Sequence, residues 1–217
     1  MDRRGLMKIG IIGAGNIGGG FGRLWARRGH AVRFGVRESG RKEAEALAAT
    51  AGGDAAATSV AEAARFGEVV MLAVPWQAVP EVLAEAGDLA GKVLIDCTNA
   101  LKWDAQGPIW AVPAAEEIAR QRPGARVVKA FNTLGAEHLG RLGGEGSVKP
   151  DAFLCGDDEA ARQVVRSLGE EIGFGVVDAG PLRNARVLEH LAVLWIHLAM
   201  KGGLGREIFF KVMRPGG

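Results

Sequence analysis

A doubly wound α/β fold, with a mainly parallel sheet covered by helices on both faces, is predicted by three features of this sequence. Strand-like and helix-like segments alternate along nearly the whole chain, the order that builds a parallel sheet through helical crossovers. The strand-like run Glu68–Val74 is continuously apolar rather than alternating, as a strand covered on both faces must be. The first apolar run, Met7–Ile12, breaks directly into Gly13-Ala14-Gly15-Asn16-Ile17-Gly18 before a helix begins. Such glycine spacing is a weak signal by itself in a chain with 33 glycines. At a strand-to-helix junction it is the signature of the dinucleotide-binding βαβ unit of Rossmann-type sheets. Gly13 is expected to make the tight turn, Gly15 to let the backbone approach a pyrophosphate, and Gly18 to let helix and strand pack closely. The phosphates then lie at the positive end of the helix.

The elements follow in order. After Met7–Ile12, a helix is expected over Asn16–Arg28, stopped by Gly29 and His30 as a C′ glycine stops helices. A second strand, Ala31–Val36, leads to a helix over Arg41–Ala51. A short strand, Ala55–Thr58, is followed by a helix over Ser59–Phe66 and then by the Glu68–Val74 strand. Pro75 opens a segment that is helical to Ala86, and Lys92–Cys97 is the fifth strand. Residues Thr98–Val112 read as a long loop, and loops of that length are often functional. Helix Pro113–Gln121, strand Arg126–Phe131 and a short helix at Ala136–Leu142 come next, then strand Asp151–Cys155. Ala161, Val164, Val165, Leu168 and Ile172 have the spacing of an amphipathic helix over Asp158–Ile172. Strand Phe174–Asp178 precedes the last long helix, Ala185–Met200, and the tail Arg214–Gly217 is expected to be loose. The last helix is apolar on almost every side, so it is expected to be buried, with a dimer interface favoured. Residues 1–182 are expected to form the nucleotide-binding domain and 183–217 a small helical segment that makes the dimer contact.

Composition narrows the possible functions. A net charge of +2 gives no reason to expect nucleic acid or a membrane surface as partner. The longest apolar stretch, Val187–Met200, contains Glu189, His190 and His197 and is shorter than the ~20 residues of a membrane span. No secretory leader is visible, and a cytoplasmic protein is expected. Cys97 and Cys155 are too few for a metal site and read as small hydrophobes in a reducing compartment. There is no tyrosine, which excludes the tyrosine–lysine acid/base pair of short-chain dehydrogenases.

The second strand ends in Gly35-Val36-Arg37-Glu38-Ser39-Gly40-Arg41-Lys42. Glu38 keeps NAD open, since an acidic residue here binds ribose hydroxyls. Arg37, Arg41 and Lys42 favour the additional phosphate of NADP, which arginine grips bidentately. Ligands of open α/β sheets lie beyond the carboxyl ends of the strands. Here those ends are Val74-Pro75-Trp76, Asp96-Cys97-Thr98-Asn99 and Phe131-Asn132-Thr133-Leu134-Gly135, a mixture suited to a nicotinamide ring and its carboxamide. No proton donor stands out. His138 reads as a surface-helix residue, His190 and His197 as core or interface residues, Glu170 and Glu171 as a solvated helix end, and Cys97 as packing. No catalytic side chain is assigned. A site without an evident acid suits hydride exchange between two stacked cofactors, in which a flavin-like ring disperses the charge.

The chain resembles the deazaflavin (coenzyme F-420)-dependent NADP oxidoreductases. The resemblance rests on the glycine turn with Asn16, on Gly35 and Arg37, and on Val74-Pro75-Trp76. It continues through Cys155-Gly156-Asp157-Asp158 and Asp178-Ala179-Gly180-Pro181-Leu182, with Asn184, Arg186 and Glu189. It implies a Rossmann fold with a small C-terminal helical part, a dimer, and hydride transfer between NADP(H) and a deazaflavin over the nicotinamide. By position, the implied NADP contacts are Ala14, Asn16, Ile17, Arg37, Arg41, Pro75 and Trp76. Gly13, Gly15 and Gly18 are added from the glycine turn, Val74 and Asn99 from the strand ends, and Thr98, Asn132, Thr133 and Leu134 are assigned to the acceptor. The chain departs from typical archaeal members at Asn132, where they have histidine, and at Val36, where they often have serine. The reductase domains of membrane ferric reductases look similar and pass electrons to a flavin. The expected acceptor is therefore a small molecule, coenzyme F-420 or a flavin. An imine or carbonyl reductase and a non-catalytic NADPH sensor are the alternatives.

Overall fold

The computed structural model describes residues 5–140 and 148–215. Ten strands and seven α-helices are found among them: β1 Lys8–Ile12, α1 Asn16–Arg27, β2 Ala31–Gly35, α2 Arg41–Ala51, β3 Ala55–Thr58, α3 Val60–Phe66, β4 Val69–Leu72, α4 Val79–Ala86, β5 Val93–Asp96, β6 Leu101–Asp104, β7 Gly107–Trp110, α5 Ala114–Gln121, β8 Arg126–Ala130, β9 Asp151–Gly156, α6 Glu159–Glu171, β10 Gly175–Asp178 and α7 Ala185–Met200. Eight strands form one sheet in the order β10-β9-β8-β5-β4-β1-β2-β3. All neighbours run parallel except β8 and β9. The predicted doubly wound fold is therefore correct.

Strand alternation divides the core in two. Ile9, Ile11, Met71, Ile95 and Val128 point to one face, where they meet Phe21, Trp25, Phe131 and Phe174 from the helix side and strand ends. Phe21 and Phe131 lie 4.6 Å apart between ring centres, and the Trp25 indole donates to the Leu168 carbonyl, tying α1 to α6. Val70, Leu72, Leu94, Val127 and Cys155 point to the other face, against Val82, Leu83, Ile118 and Leu188 of α4, α5 and α7.

Three expectations need correction. The Thr98–Val112 loop contains an antiparallel hairpin, β6 and β7, whose turn residues are Ala105 and Gln106. Asp104 organises that turn by accepting from the amides of Gln106 and Gly107. Secondly, α7 is not buried all round. It packs on β7, α5 and β9 and leaves Val187, Leu194 and Met200 exposed. Thirdly, the short helix expected at Ala136–Leu142 is a 3-10 segment, Ala136–Gly140. Residues 141 and 142 lie outside the described residues, as do 216 and 217 of the predicted loose tail.

Candidate active site

The three motif glycines do three different things. Gly13 turns the chain at φ 101°, and a Cβ there would come within 2.5 Å of the Ala73 carbonyl oxygen. A Cβ on Gly18 would sit 1.9 Å from the Gly13 carbonyl oxygen and 3.0 Å from Ile11, so any side chain would push α1 off β1. Gly15 has nothing within 4 Å of that position. It is the N-cap of α1, and α1 has no side-chain cap and no acidic residue in its first turn. The helices α3 and α6 are different. Ser59 and Glu62 form a reciprocal capping box on α3, and Asp158 accepts from the Ala161 amide on α6. The first amides of α1 therefore face open space with no acceptor from a capping side chain, the arrangement that receives a pyrophosphate.

A pocket of about 200 Å³ lies on one side of this turn, between the ends of β1 and β2 and the start of α4. Gly13, Val74 and Pro75 line it together with Val36, Arg37 and Ser39. The Arg37 side chain is 62% exposed, and its guanidinium lies 3.6 Å from Glu81. Exposed pairs of this kind contribute little, which leaves the guanidinium free to take a phosphate. Arg41 is not on the pocket wall. Its guanidinium donates to the Ala57 carbonyl and lies 3.8 Å from Glu38, whose own side chain is 90% exposed.

A larger cleft, about 450 Å³, lies on the other side and shares Val74 and Pro75 with the pocket. Gly15, Asn16 and Ile17 form one wall, and Trp76, Trp103 and Trp195 bring apolar rings to it. Thr98, Asn99, Asn132 and Leu134 line the cleft. Ala14, Gly18 and Thr133 line neither cavity; Thr133 is buried, with its hydroxyl unpartnered among the described residues. Asn99 and Asn132 exchange hydrogen bonds: Asn99 donates to the Asn132 carbonyl oxygen, and Asn132 Nδ2 donates to Asn99 Oδ1 and to the Leu188 carbonyl. Asn132 Oδ1 is buried without a partner among the described residues. Just before it, Phe131 has φ 64°, a conformation that costs a bulky residue about 1–3 kcal/mol and is found mostly where function fixes the backbone.

Sequence reading missed the charges beneath this floor. Lys129, Asp96 and Glu189 are fully buried. Lys129 Nζ lies 2.9 Å from Asp96 and 3.3 Å from Glu189 and also donates to the Thr98 carbonyl. Burial alone would lower the ammonium's pKa; the Asp96 and Glu189 carboxylates outweigh it and hold Lys129 above the usual lysine range. Glu189 also accepts from the Trp110 indole and from the Ala114 and Ala115 amides, capping α5 from another helix. Trp103, Trp195 and Arg206 are further cleft residues that sequence reading did not assign.

Other titratable groups are placed as follows. His138 is buried, contrary to the surface expectation, because Ile208 returns to bond its Nε2. His190 is exposed and stacks on Trp110, and His197 is also exposed, so neither is a core residue of this chain. Glu171 is held by His30 rather than freely solvated. Cys97 lines the cleft, but burial and the Asp96 carboxylate push its thiol well above the usual range. Cys155 is pushed up to about 12 by burial. No metal-binding cluster occurs among the described residues.

The family model of NADP oxidoreductases dependent on coenzyme F420 matches residues 8–100. The F420-dependent NADP reductase of Methanothermobacter thermautotrophicus is 34% identical over 212 residues, covering 90% of each chain. The chain belongs to this family. A crystal structure of a candidate F420-dependent NADP reductase from Arthrobacter sp. FB24 superimposes with a TM-score of 0.82 at 29% identity, covering 96% of this chain and all of the other. The metalloreductase STEAP3 of Rattus norvegicus is 30% identical over 185 residues, which span 84% of this chain and 36% of that protein. The matched family region contains the glycine turn, Arg37 and the Val74–Trp76 segment. It ends at Ala100, before Lys129, Asn132 and Glu189.

Proposed function

We propose that the protein is an oxidoreductase that moves hydride between NADP(H) and coenzyme F420, with a flavin as the second acceptor to test. One observation carries this reading: two cavities meet at Val74 and Pro75, one on each side of an uncapped helix end. The open space at Gly15 and the accessible guanidinium of Arg37 fit the pyrophosphate and the adenosine phosphate of NADP. Gly13, Ala14, Gly15, Asn16, Ile17 and Gly18 form the turn, and Arg41 supports the phosphate end. Val74, Pro75 and Trp76 wall the junction where the nicotinamide belongs, and Asn99 takes its carboxamide. Thr98, Asn132 and Leu134 form the acceptor side; Thr133, buried and lining neither cavity, does not face the acceptor.

When bound, NADPH would supply the hydride that the acceptor's ring takes up. The chain contributes alignment and a dry wall rather than a proton: the titratable groups among the cleft's described residues are Arg206 and Cys97, and burial pushes the Cys97 thiol well above its ordinary range. That lack argues against a carbonyl or imine reductase. A cleft of this size argues against a sensor with a filled acceptor side. The likeness to the metalloreductase is the reason to include a ferric chelate among the acceptors tested.

Residues 183–217 form the C-terminal segment in this reading, and the exposed Val187 and Leu194 face of α7 makes a homodimer contact. The proposed location is the cytoplasm; no described helix is long and apolar enough to cross a membrane. The test is anaerobic mixing of protein and NADPH with F420, FMN or a ferric chelate, following loss of reduced nicotinamide. Turnover with F420 is expected, turnover with FMN alone would move the assignment to flavin, and turnover with none would overturn it.

A further inference from the structure

We infer that Lys129 is a positioning residue for the acceptor cleft, whose buried ammonium fixes the Thr98 segment of its floor. Beyond Asp96 the chain leaves the sheet, and the last sheet-like bond is from the Cys97 amide to Leu72. Side chains then take over. Asp96 Oδ1 accepts from the Thr98 amide at 2.8 Å and from its hydroxyl at 2.7 Å. Lys129 Nζ donates to the Thr98 carbonyl and, at 2.9 Å, to the other oxygen of Asp96. The amide, hydroxyl and carbonyl of Thr98 are thus all held by two side chains that solvent does not reach.

The same ammonium reaches Glu189, through which α7, the β6–β7 hairpin and the start of α5 converge on one point. Asn132, on the turn that leaves β8, is locked to Asn99 on the segment that Lys129 holds. Alternation puts Lys129 on the same face as Val127, in an otherwise apolar layer. Hydrophobic residues at all three positions would avoid the desolvation of three charges, and a buried ion cluster is a poor means of stabilising a fold. What the cluster provides is a fixed geometry for Thr98, Asn99 and Asn132, all of which line the cleft.

This inference rests on the proposed function, in which the cleft receives the acceptor. The test uses Lys129→Met and the double variant Lys129→Met/Glu189→Gln, which removes the ammonium while keeping the cluster's net charge. Calorimetry would give the Kd of NADP+, then that of oxidised F420 on protein saturated with NADP+, with KM and kcat measured alongside. The expected result is a rise of about tenfold or more in the Kd and KM of F420, the scale of a misplaced binding wall, and a much smaller rise in the Kd for NADP+, of whose proposed contacts only Asn99 lies on the held segment. If the single variant fails to fold, the double variant decides. Folded variants with wild-type F420 affinity would overturn the inference, as would a double variant that cannot fold, because Lys129 would then be a determinant of the fold. Wild-type protein that binds NADP+ but no F420 would instead defeat the functional reading itself.

Discussion

At the β1–β2–β4 end of the sheet the site is shaped by backbone: a left-handed glycine, a helix end without a cap, and one exposed arginine. At the β5–β8 end it is shaped by side chains that bond to one another across distant parts of the chain, Lys129 to Asp96 and Glu189, and Asn132 to Asn99. A backbone-built region should fail when a methyl group is added and tolerate changes of surface charge. A side-chain-built region should tolerate shape changes poorly wherever a buried partner is left alone.

The largest effects should come from the glycine turn, where two neighbouring substitutions separate stability from binding. Gly18→Ala places a methyl 1.9 Å from a carbonyl oxygen and should cost about 1–3 kcal/mol of stability, as overpacking does, together with NADPH binding. Gly15→Ala meets no protein atom. It should leave the melting temperature unchanged and still weaken NADPH, because the methyl occupies the space meant for phosphate. Equal losses of stability in the two variants would break the distinction.

Arg37→Ala should be next in size. Losing a charge-assisted contact to phosphate removes about 1.5–3 kcal/mol, a weakening of roughly tenfold to a hundredfold for NADPH, with little change for NADH. Thermal stability should not move, since the pair with Glu81 is exposed on both sides.

The smallest effect concerns the frame of the acceptor end. Arg186 hydrogen-bonds Glu116, joining α7 to α5, and that contact lowers the Glu116 pKa below its ordinary 4.5. A depressed folded-state pKa stabilises above the unfolded value, and the contribution is lost as pH falls through the folded one. Glu116→Gln should therefore flatten the fall in stability below about pH 4.5 and leave NADPH affinity at neutral pH alone. A changed affinity would show that this frame reaches the nucleotide end.

The same comparison explains what could be read in the sequence. The glycine turn, Arg37 and the Val74–Trp76 segment were legible because local backbone needs fix residue types at fixed spacing. Lys129 was not, because a lysine in Arg126-Val127-Val128-Lys129-Ala130 reads as an edge position. Only the strand order, which puts β8 between β5 and β9, buries it. His138 was misplaced for a similar reason, since its partner Ile208 lies 70 residues away. The hairpin lacked the usual Asn-Gly or Asp-Gly turn signal; its turn is made by Asp104 through side-chain bonds. The apolar pattern of α7 exceeds its burial within one chain, where Val187, Leu194 and Met200 stay exposed.

Calorimetric titration of the wild-type protein with NADPH, and separately with NADH, tests the central claim most directly. The expected result is saturable uptake of one NADPH per chain, with NADH bound at least about tenfold more weakly, the scale of one arginine–phosphate contact. Equal affinity for the two nucleotides, or uptake of neither, would contradict the account.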